Sequence, residues 1–296
     1  MKKLILFAAE AVSLAACNND DNYIDESVAA QISATIGKNI GTRASETSWD
    51  INDEIGVNMS DKYYNVKYVT KSGDGIFEGS PIYFKNKREE VTLTAYYPFS
   101  GTDGKDAAAI TASTTAAFQT SEKQPEIDFL FASKENVTGA DPKVKFDFSH
   151  KMSQLTFKFK NGSGADVTNL SSITIEGLVL DGTFNTADGV CAVNPDALPG
   201  NITISLTGVE NEKDIDPLIV FPQSTADKTV TLKIKDSENQ EYACSLNFEN
   251  NRIESGNNYK WSITVNKTAL SVSSSEIIDW ATKEADSGAS SLLPSM

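Results

Sequence analysis

The feature that most constrains this chain is the strict alternation of apolar and polar residues along many short segments. Successive side chains of a β-strand point to opposite faces, so such a segment has one buried face and one solvated face. These segments are also rich in β-branched and aromatic residues, which favour strands. The clearest are 144–148, 155–159, 202–206, 230–234 and 259–265. The pattern predicts antiparallel sheets that each bury one side.

Turn residues separate these segments, and no long stretch combines a helical period with helix caps. Gly, Asn, Asp and Ser cluster at 72–75, 161–164, 181–182, 188–189 and 255–257. Many short strands with frequent turns are typical of a sandwich or barrel. Two sheets, each with one apolar face, are stable when the faces cover each other. We therefore expect an all-β fold.

The length of 296 residues predicts two domains of ordinary size. The polar, Pro-containing segment 140–143 precedes a fresh set of strands. It places an N-terminal β-sandwich domain at 28–143 and a C-terminal one at 144–282. The Ala- and Thr-rich segment 106–117 predicts a loop with one helical turn, and residues 283–296 predict a flexible tail.

The N-terminus has the pattern of a secretory signal peptide at residues 1–16, with two lysines before a short apolar stretch. Its end resembles a bacterial lipobox. In such a motif the chain is cut between Ala16 and Cys17, and the Cys17 thiol is lipidated. An ordinary signal peptide with an incidental cysteine is the alternative. Glu10 departs from the pattern, because a carboxylate is costly in the apolar stretch.

The residues after the cysteine predict an acidic tether at 17–27. The segment 18–22 is rich in Asn and Asp. It resembles the surface-export signal of Bacteroidetes lipoproteins, and a plain solvated tether is the alternative. Because a single acyl chain binds a membrane only marginally, firm anchoring needs the several chains of a bacterial lipoprotein. We expect an outer-membrane lipoprotein at the cell surface, with membrane lipid as a partner through Cys17.

Charge and composition exclude some classes of function. Acidic residues outnumber basic ones by 41 to 26, giving a net charge of −15, so we expect no nucleic-acid partner, which would need a basic surface. No group of Cys and His has zinc spacing, and no glycine-rich phosphate loop appears, so we expect no metal and no cofactor. Cys191 and Cys244 form either one disulfide or two free thiols, with free thiols favoured.

The sequence also contains no recognisable arrangement of catalytic residues. His150 is the sole histidine, and its neighbours Ser149 and Asp147 form no triad by themselves, because adjacent strand residues face opposite sides. A packed or capping histidine is favoured, so no catalytic residue is assigned and no enzyme is predicted.

Two further patterns have a structural and a functional interpretation. The segment 181–189 is similar to a calcium loop but lacks its spaced acids and closing Glu, so a hairpin turn is favoured. Tyr63, Tyr64 and Tyr68 could stack on sugars, although strand aromatics more often pack against a core.

Several segments occur in order along the chain at 49–57, 93–98, 127–132, 148–155, 221–223, 255–259 and 277–280. Together they resemble segments of fimbrillin-like proteins of Bacteroidetes. Asn52, in the first of them, stands where that family usually has Gly. The resemblance implies two tandem transthyretin-like antiparallel β-sandwich domains. It also implies a stalk, anchor or tip subunit of a type V fimbria that serves cell adhesion with other fimbrial subunits.

The resemblance further implies maturation by a protease that cuts after an Arg in an early loop and removes the first strand. Arg43 lies in a small, polar stretch suited to proteolysis, so the cut is expected between Arg43 and Ala44. The strand to be exchanged would be the alternating segment that contains Ile32, Ala34 and Ile36. The alternative is that Arg43 is simply one cation in a linker.

The strand that would replace it is expected from the C-terminal segment of a neighbouring subunit. In this chain the candidates are 268–273 and the stretch around Ile277, whereas the residues after Trp280 have poor strand propensity. The chain could therefore accept a strand without donating one, as a tip subunit would. The rival hypothesis is a monomeric surface lipoprotein that binds glycans or a host protein.

We expect Cys17→Ala to abolish incorporation of a labelled lipid precursor and to move the protein from the membrane fraction to the soluble fraction. Only the thiol of that residue can form the thioether. Cys191→Ala is the control and should label like the wild type. Unchanged labelling of Cys17→Ala would contradict the lipobox.

Overall fold

The structure, a computed structural model, describes residues 27–37, 48–107, 109–273 and 275–280. The signal peptide, nearly all of the tether and the tail predicted from the sequence lie outside these residues. No helix within the described ranges is long and apolar enough to span a bilayer. The backbone here consists of strands joined by turns and a few single-turn 3-10 helices.

The strands follow one another along the chain in this order: β1 Gln31–Ile36, β2 Glu54–Met59, β3 Tyr63–Val69, β4 Ile76–Gly79, β5 Glu90–Tyr97, β6 Ile110–Ser113, β7 Leu130–Thr138, β8 Lys143–His150, β9 Ser153–Asn161, β10 Leu170–Leu178, β11 Asp181–Phe184, β12 Cys191–Val193, β13 Gly200–Ser205, β14 Leu218–Val220, β15 Gln223–Ser224, β16 Val230–Asp236, β17 Glu241–Leu246, β18 Arg252–Ile253, β19 Asn257–Asn266, β20 Ala269–Val272 and β21 Glu276–Asp279. The 3-10 helices are Ala116–Phe118, Gln124–Glu126, Val167–Asn169 and Glu249–Asn251.

The N-terminal unit is a two-layer arrangement whose layers share their outer strands. One layer has the order β4-β1-β8, and the other continues from β4 through β3, β2, β5 and β7 back to β8. The hydrogen-bonded path is therefore closed. Strand β1 is the central strand of the smaller layer, so the closure depends on it.

Alternating residues of these strands fill the N-terminal core, as the period of two predicts. Val144, Phe146 and Phe148 of β8 point inward and are buried. They pack with Trp49 and the inward residues of β1 in the same cluster. The predicted domain boundary at 143/144 precedes β8, yet the side chains of β8 lie in the first core. By this criterion the N-terminal unit extends through His150.

The C-terminal unit is formed by two sheets around a second core. One has the order β13-β10-β16-β17, and the other has the order β14-β9-β19-β20, with β21 also paired to β19. Inward residues of both sheets, such as Phe157, Ile175 and Trp261, are buried in this core. Most strand pairs are antiparallel, but β9 runs parallel to β19, and β1 runs parallel to β8. The fold is the all-β, β-sandwich class that the sequence predicts.

A third apolar cluster joins the two units. It includes Tyr96 and Phe129 from the N-terminal part and Phe184, Phe221 and Trp280 from the C-terminal part. The rings of Phe129 and Phe184 are stacked with centroids 4.7 Å apart. The two sandwiches therefore share buried apolar surface rather than only a linker.

Strand β6 was not expected, because it lies within the segment 106–117 that predicts a loop. Its residues pair with β11, which is far along the chain, so local composition gave no sign of the pairing. The single helical turn of that prediction is present at Ala116–Phe118.

Gln119 holds the outer edge of β14 through its side-chain amide. Its Nε2 donates to the carbonyl oxygens of Thr114 and Ile219 at 2.9 and 2.8 Å, and its Oε1 accepts from the Ile219 N–H at 2.9 Å. The amide thus replaces a neighbouring strand at a buried edge, where an unpaired backbone group would be costly. This contact fastens the segment after β6 to the C-terminal unit.

We expect Gln119→Leu to lower the free energy of unfolding by about 2–6 kcal/mol. The change leaves the buried N–H and C=O of Ile219 unpaired, and each unsatisfied group costs about 1–3 kcal/mol. Exposed Gln240→Leu is the matched control and should change stability by no more than about 0.5 kcal/mol. If urea denaturation gave the same change in the free energy of unfolding for both variants, the role of Gln119 would be contradicted.

Candidate functional site

The site of interest is the seat of β1, defined as the surface of β4, β8 and Trp49 that this strand covers. Ile32, Ala34 and Ile36 point into the core and are only 4%, 3% and 8% exposed. The intervening residues Ser33 and Thr35 face outward. The three residues that the sequence assigned to the exchanged strand therefore share one buried face.

The backbone of β1 is hydrogen-bonded on both sides. It runs parallel to β8, from Gln31 opposite Lys143 to Ile36 opposite Phe148. On its other side it is antiparallel to β4, with Ile32 opposite Phe77. The Ala34 N–H continues this side by donating to the Gly75 carbonyl at 2.8 Å. Without β1, the edges of β4 and β8 would both lose their partner.

Gly75 is required where β1 passes it. Its φ is +78°, and a Cβ at this position would lie 2.4 Å from the Ala34 carbonyl oxygen. Any larger residue would therefore clash with the backbone of β1 as well as strain its own backbone.

Trp49 fastens β1 from a position after the segment that carries Arg43. Its indole Nε1 donates to the Ala34 carbonyl oxygen at 3.0 Å. Its ring packs edge-on against Phe77 of β4 and Phe148 of β8, with centroids 5.1 and 5.2 Å apart. Because β4 and β8 lie on either side of β1, the indole crosses β1 at Ala34. The sequence showed Trp49 only as part of a family segment, since its partner is a backbone atom.

A cavity of about 270 Å³ lies beyond the end of β1, between the two units. Ile36, the last residue of β1, lines it, as do Ser48 and Trp280. Asp50, Asp53 and Asp128 give it acidic walls, and its described lining contains no Lys or Arg. This surface repels anions.

Two ionisable side chains that line this cavity, Asp53 and Tyr97, are joined by a hydrogen bond. The Tyr97 hydroxyl donates to Asp53 Oδ1 at 3.2 Å. Burial raises the pKa of Asp53 above its ordinary value, although hydrogen bonds from the Asp50 backbone and from Tyr97 oppose the shift. Burial and the Asp53 carboxylate raise the pKa of Tyr97. Tyr97 is therefore a permanent hydrogen-bond donor here.

His150 is a packed residue, and its contacts Asp128 and Trp280 line this cavity. It is buried, its Nδ1 lies 2.8 Å from Asp128 Oδ1, and its ring stacks on Trp280 at 4.2 Å. Ser149 is exposed, and its hydroxyl donates to the Phe131 carbonyl. The residues adjacent to His150 thus do not form a triad with it.

The remaining sequence-predicted groups have structural surroundings. Tyr68 is buried, Tyr63 packs against the N-terminal core, and Tyr64 is 44% exposed, so the three form no common platform. Residues 181–184 and 191–193 form a hairpin, β11–β12. No group of three or more His, Cys, Asp or Glu side chains suited to a metal exists among the described residues.

The two described cysteines are free thiols. Burial raises the pKa of the Cys244 thiol to about 11, and it raises that of Cys191 as well. Of the two alternatives left by the sequence, the structure supports separate thiols.

The C-terminal strands form one interrupted edge. β20 and β21 both pair antiparallel with β19, one at Ile263–Asn266 and the other at Asn257–Lys260. Leu270, Val272 and Ile277 pack against the C-terminal core while remaining partly exposed. These are the segments that the sequence suggested as donor strands. The other predicted site residues, Ala16, Cys17, Arg43 and Ala44, lie outside the described residues.

Comparison with known proteins gives consistent matches over most of the chain. A family described as fimbrillin-like matches residues 42–280, so the match begins after β1. A protein of Bacteroides uniformis described as a candidate fimbrium subunit, Fim1C, is 29% identical and covers 95% of this chain and 96% of its own length.

Similar crystal structures include two proteins from Bacteroides species. A candidate cell adhesion protein from Bacteroides ovatus is 29% identical, with a TM-score of 0.73, over 87% of this chain and 99% of that one. A second, from Bacteroides uniformis, is 26% identical, with a TM-score of 0.68 and the same coverage.

We expect Ile32→Ala to lower the free energy of unfolding by about 2–5 kcal/mol, because it leaves a cavity in the seat of β1. Ser33→Ala is the control on the same strand, since that residue faces outward and its hydroxyl makes only a long contact of 3.4 Å to the Val144 carbonyl. Thermal and urea unfolding of both variants measure the difference. Equal stabilities would contradict the burial of this face.

Proposed function

The chain belongs to the fimbrillin-like family, and from this premise we propose that it is a subunit of a type V fimbria assembled by protease-triggered strand exchange. The subunit would serve cell adhesion together with other fimbrial subunits. The observation that carries the proposal is the position of β1, a single N-terminal strand at the centre of one layer. Its only covalent link to the rest of the unit is the segment that contains Arg43.

A cut between Arg43 and Ala44 would leave β1 held by noncovalent contacts alone. Burial of its two isoleucines contributes about 1.5–3 kcal/mol each, and the net contribution of each backbone hydrogen bond is about 0.5–1.5 kcal/mol. Losing β1 therefore exposes an apolar groove at a cost comparable with the whole stability of a domain, about 5–15 kcal/mol. An equivalent strand from another subunit would restore both the pairing and the burial.

The same cut has a second consequence for a lipid-anchored precursor. Cys17 and β1 both precede Arg43. A cut subunit would thus lose its lipid and its first strand together, whereas an uncut one would stay tethered to the outer membrane. Cleavage would in this way couple release from the membrane to readiness for assembly.

The last two strands of this chain lie at an edge of their sheet. Among the residues that the structure describes, β20 and β21 pair with β19 alone, and their apolar residues are partly exposed. An edge of this kind can leave its sheet with less loss of burial than a central strand. No enzyme activity is proposed, because the family consists of structural and adhesion subunits.

We expect Arg43→Ala to prevent both the release of the N-terminal fragment and the formation of SDS-resistant assemblies on the producing cells. The chain has three arginines, Arg43, Arg88 and Arg252. Arg252→Ala is the control, because that residue is exposed on β18, whose Ile253 packs in the C-terminal core. Immunoblots of tagged chains, with and without boiling, measure both effects. Normal assembly of Arg43→Ala would defeat the proposal.

A further inference from the structure

We propose that the seat of β1 selects the incoming strand by size, accepting large, small and large apolar side chains at three alternating positions. The small residue must lie beneath Trp49. The partner is therefore a different subunit, not a second copy of this chain. This inference rests on the proposed strand exchange and specifies its partner.

The size limit at the middle position comes from the indole of Trp49. The ring contacts Phe77 on one side of β1 and Phe148 on the other, and its Nε1 binds the Ala34 carbonyl. The side chain of Ala34 is a single methyl group, 3% exposed, in the same buried cluster as Trp49, Phe77 and Phe148. A longer side chain there would have to displace the indole or its aromatic neighbours. Adding methylenes to a closely packed core is destabilising.

The outer positions have the opposite requirement. Ile32 lies beside Val144 and Phe77 in the sheet register, and Ile36 lies beside Phe148. Both isoleucines are buried in the N-terminal core. Small side chains at these positions would leave cavities, which are also destabilising. The order large, small, large reads the same in both chain directions, so it applies to a parallel or an antiparallel donor.

The C-terminal segments of this chain do not have this order. In β20 the core-facing residues are Leu270 and Val272, with two large side chains in succession. In the sequence, Val272 is followed two residues later by Ser274, and Ile277 is followed two residues later by Asp279. From residue 266 to the end, no three alternating positions carry a large, a small and a large apolar residue. Residues 266–296 therefore offer no strand of the β1 type.

The test uses the full-length mature chain with Arg88→Lys and Arg252→Lys, so that an Arg-specific protease cuts only at Arg43. After β1 is displaced in mild denaturant, binding of labelled peptides is measured by fluorescence anisotropy. The probes are the peptide of residues 28–37, the same peptide with Ala34→Leu, the same with Ser33→Leu, and the peptide of residues 268–279.

We expect the unchanged peptide and Ser33→Leu to bind alike, because residue 33 faces outward. The Ala34→Leu peptide and the 268–279 peptide should bind at least about tenfold more weakly, as overpacking or poor filling of the groove predicts. In a chain that also carries Trp49→Val, the difference between the unchanged and Ala34→Leu peptides should shrink to about twofold or less. If the effect of Ala34→Leu depends on Trp49 in this way, the Trp49 side chain sets the size limit at the middle position.

The outcomes separate the two hypotheses. Equal binding of the unchanged and Ala34→Leu peptides overturns the size selection while leaving strand exchange intact. Tight binding of the 268–279 peptide overturns the assignment of a different subunit as partner. Failure of every peptide to bind the cut chain overturns strand exchange itself. The peptide series on the unaltered groove decides the inference even if Trp49→Val does not fold.

Discussion

The structure of the N-terminal unit depends on the burial of one alternating face of a single strand. β1 lies between β4 and β8, and without it the hydrogen-bonded path around the core is open. Its neighbours come from later parts of the chain, so these contacts form only when the whole unit has folded. Strand β1 is therefore both essential to the core and attached to it by one short connection. That combination makes an exchangeable strand physically reasonable.

Trp49 is a single side chain that connects β1 to both of its neighbouring strands. It contributes a hydrogen bond to the backbone of β1 and packs against aromatic residues of both neighbouring strands. Because it follows Arg43 in the sequence, it stays with the body of the protein if the chain is cut there. Trp49, which binds β1 in the intact chain, would then contact any strand that replaces β1. In the present structure the middle side chain of the buried face of β1, that of Ala34, lies in the same buried cluster as the indole.

The two sandwiches behave as one packed body where they meet. A shared aromatic cluster, the stacked His150 and Trp280 rings and the Gln119 amide all bridge the units. Such contacts resist bending between the units, which suits a subunit that belongs to a surface appendage. They also place acidic side chains around the cavity at the end of β1. The histidine that sequence alone left as a packing or capping residue thus has a structural position in this junction.

The sequence by itself determined the all-β class, the strand identities with clear alternation, such as β8 and β19, and the inward face of β1. It could do so because the period of two is local and records which side of each strand is buried. Only the tertiary structure decided the parallel pairing of β1 with β8, the existence of β6 and the extent of the first unit through His150. The same holds for the hydrogen bond from Trp49 to the backbone of β1. Each of these depends on partners distant in sequence, and a hydrogen bond to a backbone carbonyl leaves no trace in the identity of the residue that provides it.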